Sequence, residues 1–178
     1  MHVMKSFNKK GDAGTTRLLF GHSVPKHSPR PEAYGVVDEA NSALGLARAL
    51  LNDKEIKGIV LDIQRDLFTV GAELAALPDE AGRLKVRISR EHVLKLERLI
   101  ENHETLFEMP KAFVTPGETV ASGALDLARS IVRRAERRVV KLVDEGEVKN
   151  PEILQYFNRL ADLLFTLARY EEASKKSG

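Results

Sequence analysis

Beyond residue 31, apolar positions recur at helical spacing along almost the whole chain, and the pattern resolves into five amphipathic helices. The first spans about Pro31 to Leu51, with Pro31 suited to a first turn and a stripe of Val36 or Val37, Ala40, Leu44, Ala47 and Leu51. The second, about Lys54 to Leu77, carries Ile56, Ile59, Val60, Ile63, Leu67, Val70 and Leu74 and stops before Pro78. Ser89 is placed to cap the third, which carries Val93, Leu96, Leu99 and Ile100 and ends near Leu106. The fourth runs from about Glu118 to Glu145 and ends at Gly146, with Leu127, Ala128, Ile131, Ala135 and Val139 as its core face. Asn150-Pro151 opens the fifth, which runs to about Ala173 on Leu154, Phe157, Leu160 or Ala161, Leu164 and Leu167.

Short connections between long amphipathic helices predict antiparallel neighbours, hence an all-α, up-and-down five-helix bundle. Residues 1–30 read differently. Gly11, Gly14, Gly21, Pro25 and Pro29 interrupt any period, so this segment is expected to be an irregular loop with no strand of any length. One domain is predicted over 1–178: a loop segment to residue 30, a bundle over 31–173 and a frayed tail over 174–178.

Composition narrows the chemistry. With no cysteine, a disulfide framework, a thiolate metal site and a cysteine nucleophile are all excluded. Twenty-eight basic residues against 26 acidic ones leave a net charge of +2, too balanced for a global nucleic-acid field, so any anion site must be local. There is no secretory h-region at the start and no run approaching a membrane span, which predicts a soluble, cytoplasmic protein. The five histidines lack the spacing of a metal site, and no Ser/His/Asp set suggests itself.

Local placement of charge is where the sequence becomes specific. On the fourth helix Arg129, Arg133, Glu136 and Arg137 recur at i, i+4, i+7 and i+8, forming a second face beside the core stripe. A carboxylate among guanidiniums can hold their geometry while free forks reach a polyanion; the same row also fits a solvated face stapled by i,i+4 pairs. Near the N-terminus, Lys9-Lys10-Gly11-Asp12-Ala13-Gly14-Thr15-Thr16-Arg17 combines close glycines with hydroxyls and cations, a phosphate cradle or a turn-rich basic tail. It is not a Walker A loop, since Gly-Lys-Ser/Thr is missing at the required spacing. Lys26 adds a cation after Pro25, and Asp38, Asn41, Ser42 and Gly45 form a small polar stripe on helix one. On helix five, Asn158, Asp162, Thr166 and Arg169 form a polar row expected opposite the core. Phe113 sits in the connection Phe113-Val114-Thr115-Pro116-Gly117, either plugging one end of the core or presenting an aromatic from a stiff loop.

Five blocks occur in register: Gly11–Thr16, Glu32–Ser42, Phe113–Gly117, Arg133–Arg137 and Asn158–Phe165. Together they resemble the PduO-type ATP:cob(I)alamin adenosyltransferases from about Phe7 to Tyr170. The resemblance implies a homotrimer that transfers the 5′-deoxyadenosyl group of ATP to cob(I)alamin at subunit interfaces and releases triphosphate. It implies Mg2+ with the ATP, K+ as a second candidate ion, a reductase or flavoprotein supplying electrons and an adenosylcobalamin-dependent acceptor enzyme. No nucleic acid and no membrane enter the picture.

Carried over by position, Lys10, Gly11, Asp12, Gly14, Thr15, Thr16 and Lys26 would hold the triphosphate. Arg133, Glu136, Arg137 and Asn158 would complete the ATP site from the neighbouring subunit, with Arg133 also acting in the transfer step. Asp38 and Arg129 resemble the pair that bridges subunits near the corrinoid, and Phe113 the residue that presses on its lower face. No metal-ligating residue is assigned. The usual Thr-x-Thr-Gly-Asp-Lys-Gly reads Asn8-Lys9-Lys10-Gly11-Asp12-Ala13-Gly14 here, Glu118 replaces a glycine, and Asp126 stands where helix four usually has His. These departures keep a second reading open, a homologue that binds ATP or adenosylcobalamin as a carrier or regulator; a third is a purely structural bundle.

Overall fold

A computed structural model describes residues 11–176 of the chain. Five long helices carry the fold: α1 (Pro29–Leu50), α2 (Lys54–Leu74), α3 (Arg90–Glu104), α4 (Val120–Asp144) and α5 (Glu152–Lys176). The expected all-α bundle is therefore present, with boundaries shifted by a few residues. The N-terminal segment departs from the expected loop, because β1 (Thr15–Arg17) and β2 (Ser23–Pro25) pair antiparallel with Thr16 opposite Val24. Three residues per strand are too few to register as an alternating pattern, which is why this hairpin escaped the sequence reading.

Local chemistry explains where the helices start and stop. Asp53 caps α2 by accepting from the Glu55 and Ile56 amides at 2.8 and 3.1 Å. Ser89 occupies the expected N-cap of α3, and its amide donates to His92 Nδ1 at 3.1 Å. Thr119 and Ser122 cap the start of α4 reciprocally, each side chain accepting from the other's amide. At the end of α4, Gly146 takes φ +73°, its amide bonding Val143 O while the Glu147 amide bonds Leu142 O. That 6→1 and 5→2 pattern stops the helix and turns the chain back towards α5.

Sequential pairs α1–α2 and α4–α5 pack directly, whereas α4 lies between α1 and α5 and α3 rests on α5. Two ion pairs fix the relative sense of α1 and α4: Glu32 meets Arg138 and Glu39 meets Arg134, so numbers rise on one helix as they fall on the other. The core runs the length of the bundle, with Tyr156, Phe157, Leu44, Leu67, Leu125 and Leu142 fully enclosed.

Two expected faces are corrected. On α4 the buried arc is Leu125, Ala128, Val132, Ala135 and Val139, while Leu127 is 53% exposed and Ile131 only half-buried. The helix is gripped on two sides, by α1 and α5, and that grip turns the arc by about one position from the expected stripe. On α5 the polar row does not stay outside. Asn158 and Asp162 are exposed, but Thr166 and Arg169 are 2% and 3% exposed and belong to the interior.

Candidate functional site

The hairpin brings the first group of expected residues together. The Lys26 amide donates to Gly14 O at 2.9 Å, and the Gly14 amide to Gly11 O at 3.2 Å. Gly14 holds φ +76°, a left-handed conformation that L side chains resist. A Cβ on Gly11 would stand 3.1 Å from Lys26 Nζ, so the ammonium closes directly over the loop. Thr15 and Thr16 are half-buried on β1, while Asp12 and Lys26 are exposed. Lys10 lies outside the described residues. The result is a small loop with backbone amides, two hydroxyls and a cation within one turn of each other, suited to phosphate oxygens.

The second group is built on α4, and there the structure sorts the arginines. Arg134 and Arg138 pair with Glu39 and Glu32 of α1. One position round the helix, Arg133 and Arg137 are exposed and pair with no carboxylate among the described residues. Arg137 Nη1 donates to Arg133 O at 2.9 Å. The carboxylate of Glu136 was expected to hold this geometry, but a backbone carbonyl does so; Glu136 forms no ion pair among the described residues.

Arg129 and Arg133 open into a cavity of about 410 Å³ whose opposite wall is Glu97, Glu101 and Glu104 of α3. On α5, Arg159 donates to Glu97 Oε1 at 3.1 Å and to Asn158 Oδ1 at 2.6 Å. Because its carbonyl is engaged, the exposed Asn158 side chain keeps its amide NH2 for an acceptor on a ligand.

Two further cavities hold the remaining expected residues. Phe113 is fully exposed, which rules out its plugging the core. It borders a cavity of about 470 Å³ together with Phe107, Val114, Arg169 and Glu172. The connection that presents it is anchored by close approach: a Cβ on Gly123 would lie 3.3 Å from Gly117 Cα, and Gly117 itself has φ +106°. Asp38 is exposed at the edge of a largely apolar cavity between α1 and α2, with Tyr34, Phe68 and Asn41. Asn41 is buried, and its Oδ1 finds no partner among the described residues. Asp38 and Arg129 are not paired within one chain; Arg129 Nε instead meets Asp126 Oδ1 at 3.4 Å.

Sequence reasoning missed the role of Asp126 and the burial of Arg169. Asp126 Oδ2 accepts from Arg169 Nη2 at 2.6 Å, and the same nitrogen donates to Glu172 Oε1 at 2.8 Å. An apolar stripe flanked by a lone Asp at i−3 from an Arg was the available signal, but its i,i+3 spacing equally fits a surface pair. Among the described residues no group of three or more His, Cys, Asp or Glu could hold a metal ion.

Fold and site geometry together describe a helical bundle with a glycine-rich hairpin, an exposed arginine face and aromatic-rimmed cavities. Comparison with known proteins carries this further. The family model for cobalamin adenosyltransferase matches residues 6–171, and the chain belongs to that family. It is 39% identical over 170 residues to the corrinoid adenosyltransferase PduO of Salmonella typhimurium, covering 96% of this chain and 50% of that protein. It is equally 39% identical over 172 residues to a corrinoid adenosyltransferase of Citrobacter freundii, covering 97% of both. The chain thus spans about half the length of the PduO relatives it matches and nearly all of others.

Among solved structures, a variant PduO-type ATP:corrinoid adenosyltransferase from Lactobacillus reuteri complexed with cobalamin and ATP superposes with a TM-score of 0.89 at 36% identity, covering 97% of this chain and 93% of that one. A second variant of that protein, complexed with ATP, gives 0.87 at 35% identity over 96% and 95%. Among the described residues no helix is long and apolar enough to cross a membrane.

Proposed function

We propose that the chain transfers the 5′-deoxyadenosyl group of ATP to the cobalt of cob(I)alamin, forming adenosylcobalamin and triphosphate, at sites shared between subunits of a homotrimer. The observation that carries this reading is the sorting on α4: Arg134 and Arg138 pair with α1, while Arg133 and Arg137, one position away, are exposed and pair with no carboxylate among the described residues. Relatives named as corrinoid adenosyltransferases, at 37–39% identity over nearly the whole chain, support the same chemistry.

The two groups of phosphate-binding residues share no hydrogen bond, ion pair or cavity within one chain among the described residues. We read a site made of both as shared between two copies, with the Gly11–Thr16 loop and Lys26 from one subunit and Arg133, Glu136, Arg137 and Asn158 from its neighbour. Asp38 of one subunit meets Arg129 of the next near the corrinoid, and Phe113 presses on the ring's lower face.

Cobalt in the Co(I) state is already a strong nucleophile, so the step needs no general base, which suits a proposed site built without histidine or cysteine. The cobalt electron pair forms the bond to C5′ as the C5′–O bond breaks, and triphosphate leaves with that bond's electrons. What the protein supplies is alignment of C5′ with cobalt and stabilisation of charge growing on the leaving group, by Lys26, loop amides, Arg133 and Mg2+ carried on the phosphates. K+ is a further candidate ion. An apolar Phe113 below the ring excludes an axial ligand, which makes Co(II) easier to reduce. A cytoplasmic setting, with a reductase or flavoprotein upstream and an adenosylcobalamin-dependent enzyme downstream, completes the reading.

The altered loop, with Ala13 and Lys10 where the family usually has Lys and Thr, motivates one rival: a carrier or regulator that binds ATP or adenosylcobalamin without turnover. Anaerobic incubation with chemically reduced cobalamin and MgATP separates them. Loss of cob(I)alamin absorbance with light-sensitive adenosylcobalamin over many turnovers is expected, and Arg133→Ala should abolish it without unfolding the bundle. A folded trimer that binds ATP and makes no product would favour the carrier.

A further inference from the structure

One buried carboxylate joins the cavity of Arg133 to the cavity of Phe113. Asp126 is 3% exposed on α4, and its two oxygens are divided between two guanidiniums. Oδ1 accepts from Arg129 Nε at 3.4 Å and Oδ2 from Arg169 Nη2 at 2.6 Å. Both guanidiniums face the same ring: Arg129 lies 5.7 Å and Arg169 5.0 Å from the centroid of Phe165. Arg129 then opens into the first cavity and Arg169 into the second.

The contact through Nε matters for direction. A carboxylate on Nε holds the inner edge of the guanidinium and leaves its outer edge, formed by the two η nitrogens, pointing away from it. The η nitrogens of Arg129 have no hydrogen-bond partner among the described residues, and the side chain keeps 28% exposure. Arg169 is locked far more tightly, at 3% exposure and bridged to Glu172, so Asp126 itself is fixed and serves as the anchor from which Arg129 is aimed. Without that anchor the Arg129 fork would swing among rotamers, or fold onto the glutamates across the cavity.

We propose that Asp126 is a positioning residue for the corrinoid: it aims Arg129 outward toward the neighbouring subunit and ties that aim to the Phe113 cavity through Arg169. The inference rests on the adenosyltransferase reading, and it assigns to a buried residue a part in corrinoid use and none in ATP binding.

Asp126→Asn keeps the shape, removes the charge and is compared with the wild type in the same anaerobic assay. The corrinoid KM is expected to rise about tenfold, the effect of losing one charge-assisted hydrogen bond, with the ATP KM within about twofold. Arg129→Gln should raise the corrinoid KM similarly, and the two substitutions together should do no more than either alone, since one acts through the other. Binding of cob(II)alamin with MgATP present, read by its visible spectrum, should weaken in parallel without any turnover. Should Asp126→Asn lose its helical fold, Asp126→Glu keeps the charge against Arg169 while displacing the carboxylate, and the same rise in corrinoid KM is expected with thermal stability retained. A folded variant with wild-type corrinoid KM, or additive effects with Arg129→Gln, overturns the proposal while leaving the enzyme reading intact. A wild type that neither turns over nor binds cob(II)alamin overturns both.

Discussion

Arg30 donates more side-chain hydrogen bonds than any other side chain among the described residues, and replacing it by Met tests how the fold holds its N-terminal hairpin. It sits in the first turn of α1, yet only 7% of the side chain is exposed. Nη1 donates to Leu74 O at 2.9 Å and to Ala76 O at 2.6 Å, the carbonyls at the end of α2 that lack helical partners. Nη2 and Nε reach Glu147 Oε2 at 2.7 and 3.1 Å, and Nη2 also bonds Glu147 O. One guanidinium therefore closes the end of α2 and the α4–α5 connection onto the start of α1.

The cost of Arg30→Met follows from which partners can find water. Glu147 is 44% exposed, so its carboxylate resolvates and the ion pair is discounted to at most about 1 kcal/mol. Leu74 and Ala76 are buried, and each orphaned carbonyl costs about 1–3 kcal/mol. Burial of the Met side chain offsets roughly 1–2 kcal/mol of that. The net expectation is a loss of about 2–4 kcal/mol, or a fall of roughly 5–15 °C in Tm for a chain of this size. Urea or thermal unfolding at fixed protein concentration measures it, since assembly would otherwise move the midpoint. Because Leu19 N bonds Ala75 O, the hairpin should loosen too, raising the KM for ATP. A Tm within about 2 °C of wild type would show that the two carbonyls recover partners and that the clamp is incidental.

Three further outcomes are expected. Gly14→Ala should cost about 1–2 kcal/mol locally, because φ is +76°, and should raise the KM for ATP while the far-ultraviolet spectrum of the bundle stays unchanged. Asp38→Asn should weaken corrinoid use or trimer contacts more than ATP binding; equal losses in parallel titrations would count against its assignment. Asp66, half-buried beneath Tyr156, has its carboxyl pushed up from the ordinary aspartate range by desolvation, against the lowering effect of the Tyr156 O–H bond at 3.1 Å. A raised folded pKa means that the charged form is penalised in the native state at neutral pH and that the penalty vanishes once both states are protonated. Asp66→Asn should therefore be the more stable protein at pH 7, with the gain shrinking as pH falls through the raised pKa towards the unfolded value near 3.8; a gain independent of pH would refute that cause.

The helices were legible in the sequence because they run for about four to seven turns, with apolar stripes longer than any competing signal. The hairpin was not, since three-residue strands show no period and its Pro25 reads as a breaker. Arg30 read as loop because Pro29 and Pro31 flank it, although proline is tolerated in a first turn and α1 in fact starts at Pro29. Arg169 was misplaced for a different reason. Helical spacing gives the direction of a side chain but not the depth of its surroundings, and the C-terminal half of α5 is covered by α4 and the 105–119 connection. A buried arginine needs carboxylates, and those came from Asp126, forty-three residues away, and from Glu172. Pairings across that distance are set by tertiary packing and leave no local trace.

The same limit explains why the arginine face could not be decided from sequence alone. Arg133 and Arg134 are adjacent, and spacing gives them equal claims to a ligand. The structure separates them by about 100° of helical rotation, turning one towards α1 and the other to a cavity. The surface ion pairs do not create this phase, since exposed pairs such as Arg138–Glu32 are worth at most about 1 kcal/mol each. Leu125, Val132 and Val139 fix it instead, being fully enclosed at i, i+7 and i+14, where each contributes roughly 1.5–3 kcal/mol. Rotating α4 enough to exchange the roles of Arg133 and Arg134 would expose that row. The direction of the arginine proposed to meet a ligand is therefore held by aliphatic packing on the far side of its own helix, and a cavity-forming change such as Val132→Ala should impair use of ATP although it lies on the buried face.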